Sequence, residues 1–281
     1  MKRFIISGTL VVLAAAFGIV GNFSPTVATA LESKRYVALG DSVAAGLGLP
    51  QGPGIPEEQA CGRSAQAYPN QVAKNLNMPV EHYACSGAKV DEGLYGPQEV
   101  GPNELAPQLD RAFAAGTPDV MTVTIGANDL RWSQFVRDCY VWRCGSSFDD
   151  ARASAYLLDL RWELYLTMQN IQQRSGAHPP KVFFTGYFTP LSTSAPSCTD
   201  TQNFSAAEIN WLNSKAAALN QVISDAVSWY GFAEYVPVDF TGHEICTSNP
   251  WVQASQDPAP FHPTAGGQAA MARAVTAAIK N

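Results

Sequence analysis

The sequence predicts an α/β fold in which helices cover both faces of a parallel sheet of about five strands. Short apolar, β-rich runs alternate with helical patterns along the chain, which is typical of such sheets. With 46% hydrophobic and 15% charged residues, the composition indicates a packed globular protein rather than a disordered one. Since no internal repeat or linker divides the sequence, we expect a single domain over residues 31–281.

The five predicted strands end in turn residues or glycine. The third is the clearest, an unbroken run of β-favouring residues that stops at Gly126. The first stops at Gly40, and both runs are apolar enough to be buried on two faces. The predicted strands are residues 35–39, 79–85, 120–125, 181–185 and 234–238.

Helical periodicity fills most of the intervals between these strands. The best-marked helix begins after Ser205, since Glu208 three residues later completes a capping box. The predicted helices are residues 67–77, 104–115, 149–174, 205–230 and 263–280. The remaining long segments, 43–66, 86–103, 189–203 and 239–262, are predicted as loops, and loops of this length are often functional.

The first thirty residues have the order of a secretory signal peptide. Lys2 and Arg3 precede an apolar run, and a polar stretch ends in Ala28-Thr29-Ala30, which predicts cleavage after Ala30. The alternative is an uncleaved membrane anchor, because the apolar run approaches spanning length. Export implies an oxidising compartment, in which the six cysteines are most simply three disulfides.

The charge of the chain limits its partners. The formal net charge is −6, whereas nucleic acids and anionic membrane surfaces attract a basic field. We therefore expect neither as the main partner.

Four short blocks place chemically useful residues after predicted strands. Ser42 follows the first strand, Gly87 the second and Asn128 the third, while His262 precedes the last helix. Ligands of open parallel sheets bind beyond the carboxyl ends of the strands, so these four residues are expected at one edge. Taken singly, each has an ordinary explanation, such as a helix cap, a turn glycine or a surface histidine.

The residues around Ser42 also read G-x-S-x-A, close to the nucleophile elbow of α/β-hydrolases. We reject that assignment, because in that fold the serine follows several strands, whereas Ser42 follows the first.

The four blocks together resemble the SGNH (GDSL-type) hydrolase family, and the chain is similar to its secreted actinobacterial esterases and lipases. The blocks read Ala38-Leu-Gly-Asp-Ser42, Ser86-Gly-Ala88, Ile125-Gly-Ala-Asn-Asp129 and His262-Pro263. The resemblance implies a three-layer α/β/α, flavodoxin-like fold and ester hydrolysis without a cofactor. It implies that Ser42 is the nucleophile and His262 the base. It further implies an oxyanion hole made by the backbone N–H groups of Ser42 and Gly87 and the side chain of Asn128.

The chain departs from the family pattern beside the histidine. Many members carry Asp three residues before it, where this sequence has Ala259. One hypothesis is that Asp257 orients His262. The other, which we favour, is a Ser–His dyad whose histidine is oriented by a backbone carbonyl near Ala259, since the segment Asp-Pro-Ala-Pro is rigid.

The resemblance also favours sequential pairing of the cysteines, which gives Cys61–Cys85, Cys139–Cys144 and Cys198–Cys246, although the sequence alone permits any pairing. A metal site is not expected. His243-Glu244 begins like a metalloprotease motif, but Thr247 stands where the second histidine is required. We interpret His243 and Glu244 as structural, and Asp41 as a residue that holds the nucleophile turn.

We therefore predict a secreted, monomeric serine esterase or lipase whose substrates are small-molecule or lipid esters. Alternatives are a deacetylase or acyltransferase on polysaccharide or cell-wall acyl groups, and a non-catalytic cell-surface binding module. Four aromatics follow Asn128, and the sequence fits an acyl pocket and plain core equally well: Trp132, Phe135, Tyr140 and Trp142. Arg63 and Lys89 are expected to be solvated.

Overall fold

A computed structural model of the chain describes residues 34–52 and 55–281. The predicted signal peptide at residues 1–30 lies outside these described residues. The strands are β1 Tyr36–Gly40, β2 Val80–His82, β3 Gln98–Val100, β4 Asn103–Leu105, β5 Val120–Thr124, β6 Lys181–Thr185 and β7 Ala233–Val236. The helices are α1 Ser42–Ala45, α2 Pro56–Ala60, α3 Tyr68–Leu76, α4 Gln108–Phe113, α5 Trp132–Val141, α6 Ser147–Ser175, α7 Ala206–Ser228 and α8 Ala265–Lys280.

The main sheet has five parallel strands in the order β2-β1-β5-β6-β7. This is the flavodoxin-like order, whose reversal point lies between β1 and β5. Every residue of β1 and of β5 is buried, as expected for strands covered on both faces. The predicted α/β fold with a five-stranded parallel sheet is thus confirmed.

Helices flank the sheet in two layers. The connection from β1 to β2 runs in the opposite direction to those from β5 through β6 to β7, so right-handed crossovers place their helices on opposite faces. Accordingly α3 packs against α8, and α6 packs against α7. No helix in the described part of the chain combines the length and apolar content needed to span a bilayer.

The regions predicted as loops contain more regular structure than the sequence indicates. Helices α1 and α2 occupy parts of the predicted loop 43–66, and α1 begins one residue before it. The antiparallel pair β3–β4 lies at the end of the predicted loop 86–103. Helix α5 was also not predicted, because it begins without a side-chain cap after Arg131, whose backbone is left-handed (φ 59°). The sequence there lacks the start signals on which helix prediction depends.

Disulfides tie these loops to the sheet. Sulfur–sulfur bonds join Cys61 to Cys85, Cys139 to Cys144 and Cys198 to Cys246, the pairs that the resemblance implies. Cys85 also donates a backbone hydrogen bond of 2.9 Å to Gly40 at the end of β1. The first disulfide therefore anchors a loop directly beside the nucleophile turn.

Candidate active site

Ser42 is held in a sharp turn where β1 ends and α1 begins. The turn requires glycine at position 40, because its φ is +138° and a Cβ there would lie 2.3 Å from the carbonyl oxygen of Thr124. The buried amide of Gln108 accepts from Gly40 N (2.7 Å) and donates to Gly40 O (3.0 Å). The backbone just before Ser42 is therefore fixed from two sides.

Asp41 caps α1 and is almost fully buried. Its Oδ1 accepts a hydrogen bond of 2.9 Å from Val43 N, and its Oδ2 accepts one of 2.5 Å from the hydroxyl of Tyr187. Burial raises the pKa of Asp41 to about 6, and the hydrogen bond from Tyr187 opposes that rise. Both carboxylate oxygens are thus occupied by structural contacts, in keeping with the expectation that Asp41 holds the turn.

The structure brings Ser42 and His262 together. Nε2 of His262 lies 2.8 Å from Oγ of Ser42. Nδ1 lies 3.0 Å from the carbonyl oxygen of Pro260, which can only accept. Nδ1 therefore carries the proton in the neutral ring, and Nε2 presents a lone pair to the serine hydroxyl.

The acceptor of the histidine ring N–H is a backbone carbonyl one residue from Ala259. The carbonyl of Ala259 accepts the backbone N–H of His262 (3.2 Å), while the ring faces Pro260. The side chain of Asp257 is exposed and accepts from Ala254 N at 2.7 Å, closing a turn instead of contacting the ring. Of the two orienting groups considered, the geometry favours a backbone carbonyl, supplied by Pro260.

Two buried glutamines lock the histidine loop to the nucleophile loop. Gln253 Nε2 donates to the carbonyl oxygens of Leu47 (2.9 Å) and Pro263 (3.1 Å). Gln268 Nε2 donates to Val43 O at 2.8 Å from the first turns of α8. The contacts with Leu47 and Val43 each span more than 200 positions of sequence, and they hold the loop of His262 against the loop of Ser42.

Phe261, directly before the histidine, has a left-handed backbone with φ of 65°. Bulky residues rarely adopt this conformation, so its neighbours must hold it. Phe261 N donates to Gln253 O (2.9 Å), and Gln253 N donates to His262 O (2.8 Å). This short ladder points the His262 ring back toward Ser42.

The three groups expected to form the oxyanion hole each have an N–H donor available. In the described part of the chain, neither the Ser42 N–H nor the Gly87 N–H has an acceptor. Gly87 adopts φ of +83° and lies two residues after Cys85, which is bonded to the end of β1. Asn128 Nδ2 donates to Ala88 O at 2.9 Å, which leaves the second N–H of the amide for a ligand.

Asp129, next to Asn128, ties the second and third blocks together. Its Oδ1 accepts from Val90 N at 2.9 Å, while Oδ2 has no partner among the described residues. Burial raises the pKa of Asp129 to about 7, and the charges of Glu163 and Asp91 add to the effect. The contact fixes the loop after Gly87 relative to the Asn128 turn.

A cavity of about 490 Å³ opens in front of the serine. Besides Ser42, Asn128 and His262, its walls are largely apolar and include Val136, Tyr140, Phe188, Leu219 and Phe261.

The aromatics that follow Asn128 divide among three environments. Trp132 and Tyr140 line the cavity. Phe135 is core with no exposed surface, and Trp142 is 80% exposed.

The remaining sequence candidates are structural. His243 stacks on Trp251 with ring centroids 3.6 Å apart, and the buried Glu244 accepts from Gly242 N at 2.9 Å. No group of metal-ligating side chains occurs among residues 34–52 and 55–281. The expectation that Arg63 is solvated is wrong, because it is buried, donates to Ala84 O (2.8 Å) and pairs with Glu57.

Sequence reasoning missed the residues that support the site from a distance. These are Gln108, Tyr187, Gln253 and Gln268, all buried and all bonded to the nucleophile or histidine loops. Their partners lie far away in the sequence, so no local pattern marks them.

Known proteins similar to this chain are ester hydrolases by name. The sequence model of the GDSL-like Lipase/Acylhydrolase family matches residues 38–270. Lipase 1 of Streptomyces coelicolor is 29% identical over 280 residues, covering 95% of this chain and 96% of that protein. The crystal structure of the extracellular lipase of Streptomyces rimosus superposes with a TM-score of 0.71 at 27% identity, covering 88% of this chain and all of that one. Phospholipase A1 of Streptomyces albidoflavus NA297 gives 0.68 at 25% identity, covering 89% of this chain and 100% of that one.

Proposed function

Because the chain belongs to the GDSL-like lipase/acylhydrolase family, we propose that it is a secreted serine esterase or lipase that hydrolyses carboxylic esters. The observation that carries the proposal is the 2.8 Å contact between Ser42 Oγ and His262 Nε2, at the wall of a cavity of about 490 Å³. A serine hydroxyl becomes a useful nucleophile when a base within hydrogen-bond reach accepts its proton.

In the first step, His262 Nε2 accepts the proton of Ser42 Oγ while that oxygen bonds to the ester carbonyl carbon. The carbonyl oxygen becomes an oxyanion. The N–H groups of Ser42 and Gly87 and the side chain of Asn128 stabilise it, and each preorganised donor of this kind is worth roughly 10²–10³ in rate.

In the second step, the oxyanion collapses and the ester C–O bond breaks. The His262 imidazolium donates its proton to the departing alkoxide, which leaves as the alcohol, and an acyl-enzyme remains on Ser42. Water then repeats the sequence and releases the acid. Since protons and electron pairs move only between these two side chains, the ester and water, the chemistry needs no cofactor.

His262 is suited to this role without an acidic partner. Burial lowers its pKa below the ordinary value, and the carbonyls of Pro260 and Ala259 partly oppose this shift. The ring is therefore neutral at neutral pH and already in the tautomer that presents Nε2 to Ser42. We propose a Ser–His dyad in which the Pro260 carbonyl orients the base.

The size and lining of the cavity favour esters of longer acids over acetyl esters. An acetyl group fills only a small part of about 490 Å³, whereas an alkyl chain can contact the apolar side chains of Val136, Phe188 and Leu219. The size and lining of the cavity therefore support the proposal of a lipase or esterase over a polysaccharide or cell-wall deacetylase. An acyltransferase on Ser42 would use the same acyl-enzyme with an acceptor alcohol in place of water.

Export is part of the proposal. The structure contains three disulfides, which persist in oxidising compartments, and the similar Streptomyces rimosus protein is an extracellular lipase. We propose that the mature protein begins after Ala30 and acts outside the cell as a monomer.

The test is hydrolysis of a p-nitrophenyl ester series from acetate to palmitate, with Ser42→Ala alongside. We expect activity that rises from acetate to medium or long chains and that Ser42→Ala abolishes. A phosphonate probe that labels wild-type protein but not Ser42→Ala identifies the nucleophile directly. Activity on acetate alone supports the deacetylase. A folded, disulfide-bonded protein with neither hydrolysis nor labelling overturns the proposal and supports a binding module.

A further inference from the structure

A patch of exposed apolar side chains lies between α5 and α6. Trp142 is 80% exposed, Phe148 70% and Val141 54%, and Tyr140 beside them is also exposed. We call these four residues the α5–α6 patch. Soluble proteins seldom leave several large apolar side chains of one short segment in water, and such surfaces commonly mark an interaction site.

The patch continues the wall of the cavity that contains Ser42. Tyr140 lines that cavity, as does Arg137 one helical turn earlier. The Cys139–Cys144 disulfide closes the segment that carries Val141 and Trp142. Val141 and Trp142 therefore follow the cavity-lining Tyr140 on a covalently closed loop.

Two arginines accompany the apolar side chains. Arg137 and Arg143 are exposed, and neither forms an ion pair within the described residues. The acid between them in sequence, Asp138, faces Arg152 at 3.9 Å. A guanidinium binds phosphate oxygens through paired hydrogen bonds, so the rim of the patch suits phosphate groups.

We propose that the α5–α6 patch docks the protein on the surface of a zwitterionic phospholipid bilayer, beside the cavity mouth. Tryptophan and tyrosine favour the boundary between headgroups and acyl chains, because one end of each ring system is apolar and the other is polar. The headgroup phosphates meet Arg137 and Arg143. A zwitterionic surface fits better than an anionic one, since the chain carries a net charge of −6.

A polysaccharide is the competing occupant, since exposed aromatic rings also stack on sugars. The branched aliphatic side chain of Val141 and the two guanidinium groups favour lipid, because neither makes the flat apolar face on which a sugar ring rests. This inference rests on the proposed function and extends it, because it states that the enzyme takes its ester substrate from a lipid surface. Binding itself does not require catalysis, so it can be measured separately.

The experiment measures binding to phosphatidylcholine vesicles by co-sedimentation, with Ser42→Ala as the parent so that the vesicles stay intact. The doubly substituted Val141→Ser/Trp142→Ser protein is compared with Trp229→Ser. Trp229 is a matched control, since it is 82% exposed but follows α7 near the edge where strands begin, opposite Ser42. Thermal unfolding of each variant verifies that it is folded.

We expect the patch substitutions to weaken vesicle binding at least about tenfold, the effect of losing one large buried apolar side chain. Trp229→Ser binds like the parent. Arg143→Gln weakens binding a few-fold. In the background with Ser42 intact, the patch substitutions lower hydrolysis of a vesicle-borne ester but leave a water-soluble short-chain ester unaffected.

Three results overturn the inference: a parent that does not bind vesicles, equal losses for patch and control substitutions, or Trp142-dependent retention on insoluble polysaccharide in place of vesicles. The last result assigns the patch to carbohydrate. These outcomes can be told apart from a failure of the proposed function, because vesicle binding is measured in Ser42→Ala, a protein that needs no esterase activity to bind.

Discussion

The hydroxyl of Tyr187 donates a 2.5 Å hydrogen bond to the carboxylate of Asp41, 146 positions earlier in the chain. The two side chains are 7% and 1% exposed. Tyr187 follows β6 and also accepts a hydrogen bond of 3.2 Å from Ala127 N, so one phenol joins the ends of β1, β5 and β6. The turn that presents Ser42 thus depends on a buried carboxylate whose one side-chain donor among the described residues is Tyr187.

Replacing that donor makes the first prediction. We expect Tyr187→Phe to destabilise the protein by about 1–3 kcal/mol at pH 8, because a buried carboxylate oxygen loses its partner. Without the hydrogen bond the pKa of Asp41 rises above about 6, so the loss shrinks at pH 5, where the carboxyl is protonated. Urea unfolding at pH 8 and pH 5 measures both values.

Asp41→Asn is the companion variant. The pKa of Asp41 in the folded protein is raised from 3.8 to about 6, so its contribution to stability is fully present below pH 3.8 and is lost as pH rises through about 6. Asparagine does not titrate in this range. We therefore expect the free energy of unfolding of Asp41→Asn to fall less than that of the wild type as pH rises from 3.8 through about 6. An equal loss at pH 8 and pH 5 in Tyr187→Phe contradicts the account.

The second prediction concerns the pH dependence of activity. Only neutral His262 can accept the Ser42 proton, and burial lowers the pKa of that imidazole. We therefore expect the acidic limb of kcat/KM to have its midpoint below 6.5, with nearly full activity at pH 7. A midpoint above 6.5 indicates that an acidic group near the ring stabilises the imidazolium after all.

The third prediction separates dyad from triad. Asp257→Ala is expected to lower kcat less than about threefold, because its carboxylate bonds to Ala254 N and the ring to Pro260 O. An aspartate that orients a catalytic histidine is worth about 10⁴ in kcat. Steady-state kinetics with a soluble ester distinguishes these values, and His262→Ala supplies the reference for full loss.

The strands and the sheet edge that carries the candidate site could be predicted, because they depend on local sequence pattern. The buried runs at 35–39 and 120–125 became β1 and β5, because strands covered on both faces need continuous apolar residues. Their carboxyl ends meet at one edge, so Ser42 and Asn128 line the same cavity. The catalytic roles assigned to them remain predictions, although their positions suit those roles.

Other features depend on contacts that no local pattern records. The carbonyl 3.0 Å from the His262 ring belongs to Pro260, one residue from Ala259, in a loop where Phe261 has a left-handed backbone. Gln253 and Gln268 are ordinary polar residues until the fold brings Leu47 and Val43 to them. Their importance follows from burial, which only the assembled structure reveals.

The fourth prediction tests the proposed oxyanion hole. Asn128→Ala is expected to lower kcat by about 10²–10³ with little change in KM, because its amide acts on the transition state. Asn70→Ala is a matched control, since Asn70 also donates its side-chain N–H to a carbonyl, that of Ser64, at 3.0 Å. Equal and small effects of the two substitutions argue against a role for Asn128 in catalysis.

The fifth prediction compares two disulfides. Cys61–Cys85 closes a loop with a sequence separation of 24 and Cys139–Cys144 one of 5, so chain entropy gives losses of about 3–4 and about 2 kcal/mol when each pair is replaced by alanine. Because Cys85 N bonds to Gly40 O and Gly87 follows two residues later, we expect the first replacement also to lower kcat. The second should leave kcat on a soluble ester near that of the wild type.

Urea unfolding and kinetics on the same preparations measure both effects. If loss of Cys61–Cys85 lowers stability but not kcat, the Gly87 loop keeps its position without the bridge, and the Gln98 side-chain amide, which donates to Ser86 O at 2.8 Å, becomes the contact that holds it.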